Sequence, residues 1–148
     1  IQFIKYVIAG GLGTVINIVV FHLLGLRFFP CLQPDDWFIR LFRFGATNVS
    51  DGIRARNTSI NNMLAFFVST LIVYPINAIW IFTAGRHDPI TEILLFVGIS
   101  ALATIAGTVS MSWLIWRFGT LTTFAYCLNF AFAVLINYFA RKFVIFSG

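Results

Sequence analysis

The sequence predicts an all-α membrane protein, a single domain of four transmembrane helices that occupies residues 1–148. Three observations predict this fold: the composition, four long uncharged stretches, and charged or aromatic residues at the ends of those stretches. Of the 148 residues, 59% are apolar and only 10% are charged, against about 25% charged in a typical soluble domain. A chain this short could not bury so much apolar surface in water, so we expect lipid to be its solvent.

The four uncharged stretches are each long enough to cross a bilayer. A span needs about 20 apolar residues, at 1.5 Å each, to cross a hydrocarbon layer of about 30 Å. Buried helices of a soluble bundle would show a polar face, and none of these stretches has a charged one. The third and fourth stretches are joined so closely that they must form an antiparallel hairpin, which gives two hairpins in all. The predicted spans are about 4–26, 63–85, 91–116 and 119–141.

Basic residues and tryptophans mark the ends of these spans. Lys5 and Arg27 bracket the first span, and Trp80 and Trp113 lie near the ends of the second and third, where indoles favour the membrane interface. The net charge of +5 is therefore interpreted as contact with lipid headgroups, and no nucleic-acid partner is expected. Basic residues are shared too evenly between the two sides for the charge rule to choose an orientation.

The predicted loop from 27 to 62 is the only substantial segment outside the bilayer. Within it, Asp35 or Asp36 could cap a short helix. Apolar residues from Trp37 to Phe44 would form one side of that helix, with Arg40 and Arg43 together on another. Such a segment suits the plane of a bilayer surface, and a loop packed on the bundle is an equally good interpretation. The polar stretch from 48 to 62 is expected to be less ordered.

Polar residues recur inside the spans. In the fourth span, Asn129 and Asn137 belong to a stripe of four-residue steps that leads to Arg141. An amide in lipid is costly without a partner, so this stripe should face protein or a water-filled groove. In the third span, serine and threonine residues recur at the same four-residue spacing. Such a stripe is typical of a helix–helix contact surface, and a substrate groove is the alternative interpretation. Asn17 and Asn77 could each bind a sugar hydroxyl or another helix.

No residue pattern indicates an enzyme, a metal site or a bound cofactor. His22 and His87 stand alone, the Cys31 and Cys127 thiols have no evident partner, and no catalytic set is recognisable. No carboxylate lies within the uncharged stretches, whereas small proton-driven antiporters need a titratable acid at depth. A small multidrug-type antiporter is therefore disfavoured.

The two halves of the chain share weak features, which suggest a parallel internal repeat. The second span ends Asn77-Ala78-Ile79-Trp80-Ile81-Phe82 and the fourth ends Arg141-Lys142-Phe143-Val144-Ile145-Phe146. With the opening Lys5-Tyr6-Val7-Ile8-Ala9-Gly10-Gly11 and the third-span start Phe96-Val97-Gly98, these endings make the chain resemble the GtrA-like family. Two departures stand out: the loop from 27 to 62 is long, and Ala78-Ile79 stands where basic residues are frequent in that family.

The resemblance implies a flippase that moves a polyprenyl-phosphate-linked sugar across the cytoplasmic membrane, for polysaccharide biosynthesis at the cell envelope or surface. It implies a multi-pass protein of the inner membrane with both termini in the cytoplasm, membrane lipids as its surroundings and a membrane glycosyltransferase as its partner. We expect a homo-oligomer, since four short spans enclose little space. A non-transporting anchor or accessory subunit that recruits the glycosyltransferase is the alternative.

The site residues that this function requires fall into two groups. Cations at the terminal face would hold the lipid phosphate, and polar side chains in the spans would line the sugar's translocation path. The phosphate group is assigned to Lys5, Arg141 and Lys142. The path is assigned to Asn17, Asn77, Asn129, Asn137 and Tyr138.

Overall fold

The computed structural model describes residues 2–80 and 88–140. The regular secondary structure of these residues consists of five helices and no strand, which confirms the all-α prediction for this part. The helices are α1 (Gln2–Arg27), α2 (Trp37–Phe42), α3 (Asp51–Trp80), α4 (Pro89–Phe118) and α5 (Thr122–Ala140).

Three segments within the described helices are long and apolar enough to cross a membrane. They are Ile8–Arg27 in α1, Asp51–Ile76 in α3 and Val97–Phe118 in α4. The predicted fourth span corresponds to α5, whose 19 residues extend about 28 Å at 1.5 Å per residue. The fourth span, the paired-hairpin arrangement in the bilayer and the internal repeat stay predictions.

Each of the long helices packs against one or two of the others. α3 lies between α1 and α4, and α4 packs against α5. The connection from α4 to α5 begins at Gly119, which ends α4 in the left-handed conformation with φ of 61° and donates its N–H to the Ile115 carbonyl at 2.9 Å. Glycine adopts this conformation without steric cost, so the chain reverses within residues 119–121.

The short helix α2 confirms the prediction of a capped helix in the connection after α1. Asp36 is the cap, and its carboxylate accepts the N–H of Phe38 at 3.1 Å. Arg43 ends the helix in the left-handed conformation, with φ of 55°. The helix packs on α5; Ile39 is buried, whereas Trp37 touches Phe124 of α5 and stays half exposed. Packing on the bundle, one of the two interpretations, is thus confirmed for one side of the helix.

The predicted loop from 27 to 62 is wrong for its second part, because α3 begins at Asp51 and residues 51–62 form its first turns. The polar side chains of this segment recur at helical spacing and turn into the protein. Arg54, Thr58 and Asn61 are all buried. A polar side chain in a helix costs little when it finds a buried partner, as Arg54 and Asn61 do, and these bonds help to order the segment.

We call the two ends of the bundle the loop side, where α1 and α4 end and α3 and α5 begin, and the terminal side, where α1 and α4 begin and α3 and α5 end. The described apolar core is concentrated toward the loop side and includes residues from the segment between α1 and α2. Gly25 is needed there, because a Cβ would lie 2.8 Å from the Cys31 sulfur. The core cluster is Phe21, Cys31, Leu32, Ile39, Ala55, Ala65, Met111, Ile115, Ala125 and Tyr126.

Candidate functional site

Asn17, a predicted path residue, ties three helices together in the middle of the bundle. Its Nδ2 donates to the Ser69 hydroxyl of α3 at 3.3 Å. Its Oδ1 accepts the phenolic O–H of Tyr126 of α5 at 2.6 Å. Both polar atoms of the amide therefore have a partner. Of the two predicted roles of Asn17, binding a sugar hydroxyl or bonding to another helix, the structure shows the bond between helices.

The hydroxyl stripe of α4 consists of Ser100, Thr104, Thr108 and Ser112. Two of these residues contact α3. Asn62 Nδ2 donates to the Thr108 hydroxyl at 2.6 Å. The Ser112 hydroxyl touches that of Ser59 and donates to the Ala55 carbonyl at 3.2 Å. Hydroxyls and amides of this kind hold helices together where lipid provides no hydrophobic driving force. The helix–helix interpretation of the stripe is confirmed at Thr108 and Ser112.

Asn129 lies where α5 comes closest to α4. A Cβ added at Gly107 would lie 1.7 Å from Asn129 Oδ1, so the Asn129 side chain would have to move to admit a larger residue at this position of α4. Asn129 is buried, and its Oδ1 has no hydrogen-bond partner among the residues that the structure describes. A buried amide oxygen without a partner costs about 1–3 kcal/mol. Because the oxygen faces Gly107, α4 and α5 would have to separate before it could accept a hydroxyl donor.

A buried arginine joins α3 to the turn between α4 and α5. Arg54 is fully buried; it donates to the Asp51 carboxylate at 2.8 Å and to the Thr122 hydroxyl at 3.2 Å. It also donates to the carbonyl of Thr120. Asp51 remains 48% exposed, so the ion pair reaches from the protein interior to its surface at the loop side.

The segment between α1 and α2 is held by two asparagines of α3. Asn57 donates to the Pro30 carbonyl at 2.8 Å, and Asn61 donates to the Phe29 carbonyl at 2.9 Å and to the Cys31 sulfur at 3.2 Å. Burial raises the pKa of the Cys31 thiol to about 11, so the thiol stays protonated at neutral pH and is a poor nucleophile. These bonds fold the segment onto the loop side.

Asp36 links α2 to α5 and lies beside a buried histidine. The carboxylate is fully buried and accepts both the N–H of Thr123, at 2.9 Å, and the Thr123 hydroxyl. Nε2 of His22 lies 3.3 Å from the same hydroxyl, and the imidazole stacks on Phe38 with ring centroids 4.0 Å apart. Nδ1 donates to the Ile18 carbonyl at 2.9 Å. One carboxylate thus stabilises the starts of two helices against α1.

At the terminal side, the structure places one of the three predicted phosphate ligands. The Lys5 ammonium donates to the Trp80 carbonyl at 3.4 Å and lies 5.6 Å from that indole ring. It therefore lies at the end of α3, where cations favour the helix dipole. Arg141 and Lys142 lie outside the described residues, so the phosphate site remains a prediction.

Three predicted path residues are described only in part. The backbone of Asn77 lies in α3, and the backbones of Asn137 and Tyr138 lie in α5. Their side chains lie outside the described part of the structure. Of the predicted path, Asn17 and Asn129 are the two side chains whose surroundings are described, and both lie at buried helix contacts.

The buried polar side chains at the loop side were not predicted from the sequence. The available signal was the helical spacing of Arg54, Asn57 or Thr58, and Asn61 in a segment interpreted as a loop. A second signal was His22, a titratable side chain within an apolar span, which is a functional indication in itself. Among residues 2–80 and 88–140, no group of three His, Cys, Asp or Glu side chains could hold a metal ion.

A family model described as GtrA/DPMS, transmembrane domain, matches residues 39–146. The match begins within α2 and includes all of α3, α4 and α5, while α1 precedes it. A search of curated proteins and a search of solved structures each found no match.

Proposed function

Because the chain belongs to the GtrA/DPMS transmembrane-domain family, we propose that it moves a polyprenyl-phosphate-linked sugar across the cytoplasmic membrane, for modification of cell-envelope or surface glycans. Membership makes it a membrane protein linked to the handling of lipid-linked sugars, in a family that is in general non-catalytic. Our proposal adds three points to this family membership: the flipping activity, the location in the cytoplasmic membrane, and the use of the sugar in glycan modification.

The family match over residues 39–146 carries this proposal, and one polar atom within it, Asn129 Oδ1, supports the sugar path. This oxygen is a buried acceptor in an apolar helix of the matched region, and a sugar hydroxyl is a donor of the right kind. Asn129 also begins the stripe that continues through Asn137 to Arg141. A hydroxyl-rich head could exchange hydrogen bonds along this stripe while its lipid tail stays in the hydrocarbon.

The proposed topology places both termini in the cytoplasm, with α5 as the fourth span. Lys5, Arg141 and Lys142 would then face the leaflet in which a partner glycosyltransferase loads the lipid. Arginine holds a phosphate through two parallel hydrogen bonds, and lysine adds a point charge. A homo-oligomer would provide the space that four helices lack.

The proposed transport is passive, down the gradient of the lipid-linked sugar. Of the carboxylates at the loop side, Asp51 is bound to Arg54 and Asp36 is bound to Thr123 and Phe38. Both are committed to structural partners. Proton-coupled exchange needs a carboxylate that is free to gain and lose its proton at depth, so these two do not favour an antiporter.

Reconstitution tests the proposal. Purified protein in sealed liposomes should speed the appearance of a lipid-linked sugar in the opposite leaflet. Arg141→Ala should lower that rate by at least fivefold, whereas Arg56→Ala, at an exposed arginine of α3, should leave it within twofold. No acceleration by folded protein in sealed vesicles would refute the translocase.

A second candidate function, a non-transporting subunit that recruits the glycosyltransferase, is favoured by Asn17. Both ends of its amide are bound to other helices, which is what an anchor needs and a path does not. Co-purification with the glycosyltransferase, together with unchanged leaflet exchange in the same liposomes, would support the subunit over the translocase.

A further inference from the structure

The less covered side of α2, together with the residues that follow the helix, carries large apolar side chains. We call the group Trp37, Leu41, Phe42 and Phe44 the α2 outer surface. Their exposed fractions are 51%, 75%, 55% and 48%. The opposite side of the helix is already packed, since Ile39 is only 4% exposed. A segment that is apolar on both sides suits neither water nor a simple amphipathic contact with the bundle.

The α2 outer surface is held in place by the bundle. Asp36 accepts the N–H of Phe38 at 3.1 Å and that of Thr123 at 2.9 Å, which joins the start of α2 to the start of α5. The Trp37 ring meets the edge of Phe124 with centroids 5.6 Å apart. Phe42 and Phe44 stack with centroids 6.0 Å apart. The exposed rings are therefore presented in a fixed arrangement.

The charges around this surface have one predominant sign. Arg40 and Arg43 of α2 and its C-terminal end are exposed, as is Arg27 at the end of α1. Asp35 is the neighbouring exposed acid, while Asp36 is buried against Thr123. Apolar rings beside exposed arginines complement the phosphates and upper acyl chains of a phospholipid layer.

The level of α2 in the bundle is that of a membrane boundary. It packs against the beginning of α5 and follows Arg27, the last residue of the first candidate span. Trp116 and Phe118, at the end of the candidate span in α4, are 64% and 62% exposed at the same side. Exposed aromatic rings at span ends are typical of the interface between headgroups and acyl chains.

We infer that the α2 outer surface docks into the phospholipid headgroup layer on the loop side, with its rings at the top of the acyl chains and Arg40 and Arg43 on lipid phosphates. Because Asp36 joins α2 to α5, this contact also fixes the depth of the start of α5 in the bilayer. The inference stands on the exposure and charge of α2 and does not depend on the proposed transport.

Depth-dependent fluorescence quenching tests this inference. The chain has four tryptophans, so the triple variant Trp80→Phe, Trp113→Phe and Trp116→Phe leaves Trp37 as the reporter. In nanodiscs of anionic and zwitterionic phospholipid, lipids brominated near the top of the acyl chains should reduce its emission at least twofold. Lipids brominated near the acyl ends should reduce it less, and aqueous acrylamide should have little effect.

A matched variant, Trp37→Phe with Trp80→Phe and Trp113→Phe, retains Trp116 as a reporter at a span end. If the triple variants do not fold, the difference between the wild type and Trp37→Phe gives the Trp37 contribution. Arg40→Gln with Arg43→Gln should weaken the quenching of Trp37 by anionic brominated lipid and leave that of Trp116 unchanged. Strong quenching of Trp37 by acrylamide would place the surface in water, and protection from both quenchers would place it against protein; either result overturns the inference.

Discussion

Among the residues that the structure describes, the loop side and the terminal side of the bundle are held by different kinds of contact. At the loop side, three buried polar side chains hold the helices together. Arg54 and Asp36 are both bonded to the start of α5, and Asn61 is bonded to the segment that follows α1. At the terminal side, the contact described between α1 and the end of α3 is that of Lys5 with Trp80, at 3.4 Å and partly exposed. The polar side chains described at the loop side are thus committed to the fold, and the proposed phosphate site lies at the opposite end of the bundle.

The largest expected effect of a single substitution is at the buried arginine of the loop side. Arg54→Ala leaves the Thr120 carbonyl and the Thr122 hydroxyl without their donor and releases Asp51. Loss of a buried charged partner costs about 3 kcal/mol. Thermal unfolding in detergent should show a clear fall in Tm. The matched change Arg56→Ala should cost less than about 0.5 kcal/mol, and equal losses would mean that the loop side is no more tightly bonded than the surface.

Removal of the Asp36 carboxylate should come next. Asp36→Ala removes the cap of α2 and both bonds to Thr123, which we expect to cost about 2 kcal/mol. The segment 37–42 should lose protection in hydrogen exchange while α4 keeps its own. Asp35→Ala, at the exposed neighbour, is the control; if it gave the same loss, Asp36 would not be the link between α2 and α5.

Gly107→Ala should separate α4 from α5 in the middle of the bundle. The new methyl group would overlap Asn129 Oδ1, and overpacking of this kind costs about 1–3 kcal/mol. Adding Asn129→Ala should restore part of the loss, so that the two changes are not additive in a double-mutant cycle. Gly98→Ala, where a Cβ meets nothing within 4 Å, serves as the reference. Additive effects would show that Gly107 and Asn129 do not meet.

The smallest change in stability is expected at the terminal side. Lys5→Ala removes one long, partly exposed hydrogen bond and a contact with the Trp80 ring, which together are worth about 0.5 kcal/mol or less. Its Tm should stay close to that of the wild type. A loss as large as that of Asp36→Ala would mean that the terminal side is as firmly held as the loop side.

The sequence predicted the features that depend on local pattern. Helical class follows from composition, and the cap of α2 follows from an acid placed before an apolar run, as Asp36 shows. Whether Asn17 binds a sugar or a helix could not be predicted, because its partners Ser69 and Tyr126 are distant in the chain. The start of α3 was missed because Arg54 and Asn61 look like loop residues until the carbonyls and hydroxyls that receive them are known.

The proposal that the lipid phosphate is held at the terminal side can be tested by measuring the binding of a short polyprenyl phosphate to the protein in nanodiscs. We expect Lys5→Ala combined with Arg141→Ala and Lys142→Ala to raise the Kd at least tenfold, a loss of about 1.4 kcal/mol in binding free energy. Arg40→Gln combined with Arg43→Gln, at exposed arginines of the loop side, should change it less than twofold. A tenfold loss from the loop-side pair, with the terminal-side variant unchanged, would contradict the account.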